Sequence, residues 1–184
     1  VYAPVDIDDA VAFLKRYPQA TMVAGATDLG VRYCKHAFAP QTMLSLNRLE
    51  ALSRIEKSDG VVRIGSLVTW SQLQQFFQVE LPEFAQLISI FGSPQIRHAG
   101  TLGGNVINGS PIADGVPVLL ALDATLILQG SDGKRQVPMA HFYTGYKSSV
   151  RKADEVLVAI ELRLDPQINV KLFKVSRRRD MDIS

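Results

Sequence analysis

The sequence has very little cysteine and almost no excess charge. Its 184 residues include one cysteine, Cys34, which excludes an internal disulfide and is typical of a reducing, cytoplasmic setting. The 20 basic and 18 acidic side chains give a net charge of +2, so nothing in the charge favours a nucleic-acid partner. No apolar run approaches the roughly 18 residues of a membrane helix, and the start lacks the basic and apolar regions of a signal peptide. We expect a cytoplasmic protein that binds neither nucleic acid nor membrane.

Several catalytic motifs are absent as well. The sequence contains neither the GxxxxGK[ST] phosphate loop nor the GxGxxG dinucleotide fingerprint. Cys34 and His36 lie two residues apart, but no second pair of soft ligands follows, so no metal site is predicted. His98 and His141 are not near a serine in a nucleophile-elbow context, which argues against a hydrolase triad. The arginine run at residues 177–179 is typical of a solvated face, or alternatively of a contact with phosphate or a partner's acidic groups.

Two stretches rich in glycine and small polar residues are present instead. Residues 23–30 read VAGATDLG, and residues 91–114 read FGSPQIRHAGTLGGNVINGSPIAD. The second stretch has almost no long apolar side chains, so we expect a long loop rather than a core element; an ordinary surface loop is the alternative to a ligand-wrapping one. Backbone N–H groups at residues 25–28 and 103–105 are predicted to hold a pyrophosphate. With so few catalytic groups, the pattern favours a chain that positions a cofactor, which itself supplies the chemistry.

Periodicity divides the chain near residue 55. In the first part we expect a helix that opens at Asp6 or Asp8 and ends at Tyr17, and a second helix over residues 29–35 capped by Thr27 or Asp28. Strands are predicted at residues 21–24 and 42–46, which gives a small α/β unit with a parallel sheet.

The second part is predicted to be a mainly antiparallel sheet with helices, an α+β unit. Helices are expected after Thr69 or Ser71, after Pro82, and over residues 116–122. The predicted strands lie at residues 61–65, 124–129, 135–138, 155–164 and 170–176, with turns at residues 59–60 and 132–133. The strand at 155–164 alternates, so we expect one buried face.

Three segments are close to the motifs of one known family. They are VAGATDLG at residues 23–30, GTLGGNVINGSPIAD at residues 100–114 and FKVSRRRDMDIS at residues 173–184. The chain resembles the FAD-binding domain of the molybdenum hydroxylases, most closely that of bacterial xanthine dehydrogenases. The resemblance implies an α+β, two-subdomain FAD-binding fold of the vanillyl-alcohol oxidase (PCMH) type. Residues 1–55 would form its N-terminal α/β subdomain and residues 56–184 its C-terminal α+β subdomain, with flanking iron–sulphur and C-terminal domains absent from this chain.

The resemblance also implies a set of FAD-binding residues. Those that would wrap the pyrophosphate and ribose are Val23, Ala24, Gly25, Ala26, Thr27 and Asp28. Those that would hold the phosphates from the other side are Thr101, Gly103, Gly104 and Asn105, while Asn108 and Asp114 would bond the ribityl or adenosine portions. Ala26 stands where the family usually has a second glycine, and its methyl group is acceptable only if φ is not positive there. Asp28 is better suited to capping the turn or bonding a ribose hydroxyl than to contacting phosphate.

The remaining implied contacts concern the two rings of FAD. Phe91 and Gly92 would lie beside the isoalloxazine ring, and Ile96 near the adenine end. Leu157 would give backbone bonds, and Lys174 would lie at the polar edge of the flavin, where its charge favours the reduced form. No catalytic side chain and no metal ligand of this chain is implied.

The implied function is that of an oxidoreductase component in purine metabolism. FAD would accept electrons through iron–sulphur clusters from the molybdenum cofactor of a partner subunit and pass a hydride to NAD. Alternatives are the flavin subunit of a carbon monoxide, aldehyde or nicotinate enzyme, or a non-catalytic scaffold that has lost FAD.

Overall fold

The computed structural model describes residues 1–35, 39–165, 167, 169–178 and 182. Seven helices run through these residues: α1 (Ile7–Arg16), α2 (Thr27–Cys34), α3 (Trp70–Glu80), α4 (Pro82–Ser89), α5 (Pro94–Ala99), α6 (Leu102–Asn108) and α7 (Gly115–Ala121). The strands are β1 (Thr21–Val23), β2 (Met43–Ser45), β3 (Ile55–Ser58), β4 (Val61–Gly65), β5 (Thr125–Gly130), β6 (Gly133–Pro138), β7 (Tyr143–Gly145), β8 (Ser148–Ser149) and β9 (Val156–Arg163). Short 3-10 turns lie at Glu50–Ser53 and Met139–His141.

The N-terminal elements follow local signals closely. The side chain of Asp6 accepts a hydrogen bond from the N–H of Asp9, so Asp6 is the N-cap of α1, and the helix ends at Arg16 before Tyr17. β1 and β2 pair in parallel, as predicted.

The start of α2 differs from the prediction. The helix begins at Thr27, its N-cap is Ala26, and no side chain caps it, so the prediction that Thr27 or Asp28 is the cap is wrong. Ala26 has φ of 55°, in the left-handed region, so the condition under which its methyl group would be acceptable, that φ is not positive, is not met. An alanine in this region costs about 1–2 kcal/mol, since its Cβ crowds the backbone.

The largest sheet has five antiparallel strands in the order β3-β4-β9-β5-β6. Its central strand β9 was expected to bury one face, but residues 156–160 are all buried. The reason is that α1 packs on one face, where Val158 belongs to the same buried cluster as Ala10 and Leu14, while α3, α4, α6 and α7 cover the other. The alternation of side chains along β9 does not show that its second face is also covered, because the covering helix lies far away in the sequence.

The glycine-rich stretch is not a loop, and the prediction that it is no core element is wrong. It contains α5 and α6, whose N-caps are Ser93 and Thr101. Leu102 and Val106 of α6 are fully buried in the core that lies against the large sheet. Capping hydroxyls and two buried apolar residues outweigh the low helix propensity of glycine.

The predicted strand at residues 170–176 is also wrong. These residues have no regular structure; Val170 and Leu172 pack on the core, whereas Phe173 and Val175 are exposed. Arg178 is exposed and pairs with Asp182 at 3.1 Å, while residues 179–181, 183 and 184 of the third motif lie outside the described residues.

The described residues contain no candidate for a membrane-spanning helix and none for a metal centre. None of their helices is long and apolar enough to cross a bilayer. No group of three His, Cys, Asp or Glu side chains among them is placed to hold a metal ion, and His36 lies outside the described residues.

Candidate functional site

A cleft of about 510 Å³ lies between the β1–α2 turn and the first turn of α6. Gly25 touches the backbone of Ala99 and Gly100, and Gly100 lies beside the hydroxyl of Thr27. The two glycine-bearing stretches, which are about 70 residues apart in sequence, therefore meet in space. The volume falls within the roughly 300–1,000 Å³ of small-molecule and cofactor pockets.

The β1–α2 turn supplies free backbone donors. The N–H groups of residues 25–29 make no hydrogen bond to any other described residue, and the first turn bond of the helix begins with the N–H of Gly30, which donates to the carbonyl of Ala26 at 2.7 Å. Residues 25–29 all border the cleft. Such unpaired N–H groups, together with the positive end of the helix dipole, favour an anion.

The first turn of α6 offers no such donors. Each N–H from Leu102 to Asn105 already has an acceptor within the chain, so the prediction that the N–H groups of residues 103–105 hold phosphate is contradicted by these hydrogen bonds. The four pairs are Leu102 to the Val68 carbonyl at 3.0 Å, Gly103 to the Ser66 carbonyl at 3.1 Å, Gly104 to the Thr101 hydroxyl at 3.0 Å and Asn105 to the Thr101 carbonyl at 3.0 Å. This side of the cleft therefore presents side chains, and the free backbone donors lie on the α2 side.

The walls of the cleft are largely apolar. The indole of Trp70 and the ring of Phe91 lie 4.5 Å apart between centroids and are tilted by 43°. A Cβ at Gly92 would lie 3.2 Å from the side chain of Ile96, so Gly92 and Ile96 are neighbours. The prediction put these two residues at opposite ends of an extended FAD, whereas the structure makes them neighbours, with Ile96 bordering the cleft.

Three charged side chains border the open edge. Asp28 and Arg32 lie one turn apart on α2, and Lys147 lies in the tight β7–β8 turn with φ of 51°. All three are exposed. The edge thus carries both signs of charge, and the predicted capping role of Asp28 is not found.

The predicted site residues separate into two groups. Thirteen border the cleft: Ala24, Gly25, Ala26, Thr27, Asp28, Phe91, Ile96, Thr101, Gly103, Gly104, Asn105, Asn108 and Leu157. Four are not among its lining residues: Val23, Gly92, Asp114 and Lys174.

The four others have identifiable roles in the fold. The carbonyl of Val23 accepts the N–H of Leu46 at 2.9 Å, and that of Gly92 accepts the Arg97 guanidinium at 2.9 Å. Asp114 and Lys174 form an ion pair whose side chains are 12% and 2% exposed. The charge of Lys174 is thus compensated by Asp114, and its predicted place at the flavin edge stays a prediction.

Ten lining residues escaped the sequence-based prediction: Met22, Leu29, Arg32, Leu46, Ser66, Leu67, Trp70, Gly100, Ile107 and Lys147. Trp70 is spaced with Leu73 and Phe77 as on the buried face of a helix, so its pattern favours the core and not a ligand site. Ser66 follows directly on β4. Its place at the end of a strand is the one sequence feature that could have indicated a residue of the site. Lys147 depends on the β7–β8 turn, which periodicity does not reveal.

A tyrosine side chain is hydrogen-bonded to the backbone of α6. The phenol of Tyr143 donates to the carbonyl of Val106 at 2.7 Å. Burial raises the pKa of Tyr143 to about 12, because the anion would lose its hydration. The group is therefore a neutral hydrogen-bond donor at physiological pH.

The sequence model of one family, the FAD binding domain in molybdopterin dehydrogenase, matches residues 1–163. The chain is 35% identical over 181 residues to the xanthine dehydrogenase FAD-binding subunit of Escherichia coli O157:H7, covering 96% of this chain and 62% of that subunit. It is 29% identical over 191 residues to the nicotinate dehydrogenase FAD-subunit of Eubacterium barkeri, covering 100% of this chain and 64% of the relative. The chain thus spans less than two thirds of the length of either relative.

A solved structure agrees with the sequence relatives. Carbon monoxide dehydrogenase from Hydrogenophaga pseudoflava, in a form that lacks the Mo-pyranopterin moiety of the molybdenum cofactor, superposes with a TM-score of 0.92 at 26% identity, covering 99% of this chain and 65% of that one. This likeness confirms the predicted α+β fold of the vanillyl-alcohol oxidase (PCMH) type. The family inferred from the three motifs is confirmed too. The chain belongs to the family of FAD-binding domains of molybdopterin dehydrogenases.

Proposed function

We propose that this chain binds FAD in the cleft between the β1–α2 turn and α6, as the flavin domain of a xanthine dehydrogenase-type oxidoreductase. The observation that carries the proposal is the set of unpaired N–H groups at residues 25–29 bordering the cleft. They suit a diphosphate, and each charge-assisted hydrogen bond would contribute about 1.5–3 kcal/mol net.

The rest of the cleft fits a long, partly aromatic ligand. The hydroxyl of Thr101 accepts from the N–H of Gly104, which leaves its own proton to donate to a cofactor oxygen. Asn105 and Asn108 add amide groups on the same side, and Trp70 and Phe91 add an apolar wall. Asp28 remains a candidate for bonding a ribose hydroxyl.

The chemistry belongs to the cofactor and its partners. When bound, FAD would supply the redox chemistry, accepting electrons through the iron–sulphur clusters of a partner domain and giving up a hydride to NAD. The electrons would come from substrate oxidation at the molybdenum cofactor of another subunit. The residues of this chain bind and orient FAD and shield it from water. The 35% identity to a xanthine dehydrogenase subunit supports purine as the substrate class.

We also propose the division into residues 1–55 and 56–184. The parallel pair β1–β2 belongs to the first part, and the five-stranded sheet begins at Ile55. The cleft has one wall from each part. A cytoplasmic location is proposed because the chain holds one cysteine, Cys34, as an exposed thiol.

Titration with FAD tests the binding proposal. The purified protein, mixed with FAD and passed over a desalting column, is expected to keep flavin absorbance in stoichiometric amount. Protein that leaves the column colourless after FAD has been added back would reject FAD binding and favour the scaffold alternative.

Anaerobic mixing with NADH tests the acceptor. If the protein is NAD-linked, NADH is expected to bleach the bound flavin, since hydride transfer is reversible. Dithionite is the control, because it reduces bound FAD without a nicotinamide site. A flavin that dithionite bleaches and NADH does not would reject NAD as the partner and favour a relative with another acceptor.

A further inference from the structure

Ser66 has a buried hydroxyl without a partner at the edge of the cleft. The residue follows directly on β4 and is 4% exposed. Its Oγ is shielded from solvent and has no hydrogen-bond partner among the described residues. The residue nevertheless borders the same cleft as the free donors of the β1–α2 turn.

The backbone of Ser66 is fixed from both sides. Its N–H donates to the carbonyl of Val158 on β9, and its carbonyl accepts from the N–H of Gly103, each at 3.1 Å. A Cβ at Gly103 would lie 2.6 Å from the Cβ of Ser66, so α6 rests directly on this residue. The backbone of Ser66 is therefore held between β9 and α6.

A buried hydroxyl without a partner destabilises a fold relative to an alanine of nearly the same shape. The cost disappears if a molecule that occupies the cleft provides an acceptor. FAD carries acceptors along its whole length, on its diphosphate, its sugar and polyol oxygens and its ring carbonyls.

We propose that Ser66 is a cofactor-contacting residue whose Oγ–H donates a hydrogen bond to an acceptor atom of FAD. The inference rests on the proposed function, because it requires FAD in this cleft. It assigns to the end of β4 a side-chain contact in addition to those of the two glycine-bearing stretches. The competing account is that the hydroxyl supports the apo fold alone or through a trapped water.

The test compares Ser66→Ala with the wild-type protein and with Ser53→Ala. Ser53 is exposed at the end of the Glu50–Ser53 turn, is not among the residues that border the cleft, and so controls for the loss of a hydroxyl. FAD affinity is measured by quenching of flavin fluorescence, and the melting temperature is measured for each apo protein. We expect Ser66→Ala to weaken FAD binding roughly tenfold and to leave the apo melting temperature unchanged or higher, while Ser53→Ala keeps the wild-type affinity.

The two readouts separate a cofactor contact from a structural role. A loss of affinity below threefold overturns the inference, and so does a fall in the apo melting temperature, since the hydroxyl would then support the fold itself. If the wild-type protein binds no FAD, the proposed function fails. If the wild-type binds FAD and Ser66→Ala binds it equally well, the assignment of Ser66 fails alone.

Discussion

Gly25 and Ala99 are in direct backbone contact: a Cβ at Gly25 would lie 1.8 Å from the carbonyl oxygen of Ala99 and 2.6 Å from its carbonyl carbon. Neither atom belongs to a flexible side chain, so the backbone itself would have to move. We expect Gly25→Ala to lower the free energy of unfolding by about 1–3 kcal/mol and to weaken FAD binding at least tenfold. Urea unfolding and FAD titration measure the two effects.

Gly30→Ala is the matched control for this contact. Gly30 lies in helix α2, just after the turn that contains Gly25, and a Cβ there would meet nothing within 4 Å. We expect this variant to be more stable by about 0.4–1 kcal/mol, because alanine restricts the unfolded chain, with FAD affinity unchanged. If both variants bind FAD like the wild-type protein, the contact between the turn at Gly25 and Ala99 is not part of the FAD site.

Ala26 adopts a left-handed conformation that glycine tolerates better. With φ of 55° at the N-cap of α2, Ala26→Gly is expected to raise the free energy of unfolding by about 1 kcal/mol. Ala12→Gly is the control, since Ala12 is exposed inside α1 and glycine there costs roughly 0.5–1 kcal/mol. Equal losses of stability in both variants, measured by urea unfolding, would argue that the backbone at Ala26 is not strained.

Local signals predicted the parts of the fold that are decided locally. The start of α1 was predicted at Asp6 or Asp8 and the cap of α3 at Thr69 or Ser71, because a carboxylate or hydroxyl precedes an apolar helical stripe. In the structure Asp6 and Thr69 are the caps, and each accepts a backbone N–H group of its helix. The predicted turn at residues 59–60 was correct. The strand β3 that precedes this turn was missed, because the side chains of β3 are mostly exposed and do not alternate.

The incorrect predictions concern features that are set by contacts between residues far apart in the sequence. Gly103 was interpreted as a phosphate-binding position, whereas its role is to let α6 rest on Ser66. The cover that α1 gives to β9 cannot be read from β9 itself. The motifs located thirteen of the seventeen proposed FAD-binding residues around one cleft, but they did not reveal which backbone donors are free.

Tyr143 makes stability depend on pH in the alkaline range. Burial raises its pKa from 10.0 to about 12, so between these values the unfolded chain releases a proton that the folded chain keeps. The contribution is fully present below pH 10 and is lost as the pH rises toward 12. In Tyr143→Phe, we expect a shallower fall in stability between roughly pH 10 and 12, the window set by the two pKa values.

The same variant loses the hydrogen bond to the Val106 carbonyl. We expect the free energy of unfolding to fall by only about 1 kcal/mol at neutral pH, since that carbonyl still accepts the N–H of Gly109 at 3.2 Å. Tyr146→Phe serves as the control, because Tyr146 is exposed. Urea unfolding at several pH values measures both effects, and identical pH profiles for wild-type and Tyr143→Phe would refute the assignment.

The ion pair between Asp114 and Lys174 leads to a prediction that opposes the sequence-based role of Lys174. Removal of the ammonium leaves a carboxylate at a site where the side chain of Asp114 is 12% exposed. We expect Lys174→Ala to lower the free energy of unfolding by about 3 kcal/mol. The exposed Lys171 is the control, and Lys171→Ala is expected to change it by less than about 0.5 kcal/mol.

The double variant Asp114→Asn with Lys174→Met distinguishes the pair from the packing of either side chain. Since it removes both charges together, we expect it to recover part of the stability that Lys174→Ala loses, which urea unfolding of the four proteins measures as a coupling energy. The reduction potential of bound FAD decides between the two roles. If Lys174 acts through Asp114 on the fold, the potential stays that of the wild-type protein. A Lys174→Ala variant with unchanged stability and a lowered potential would instead put the ammonium group at the flavin.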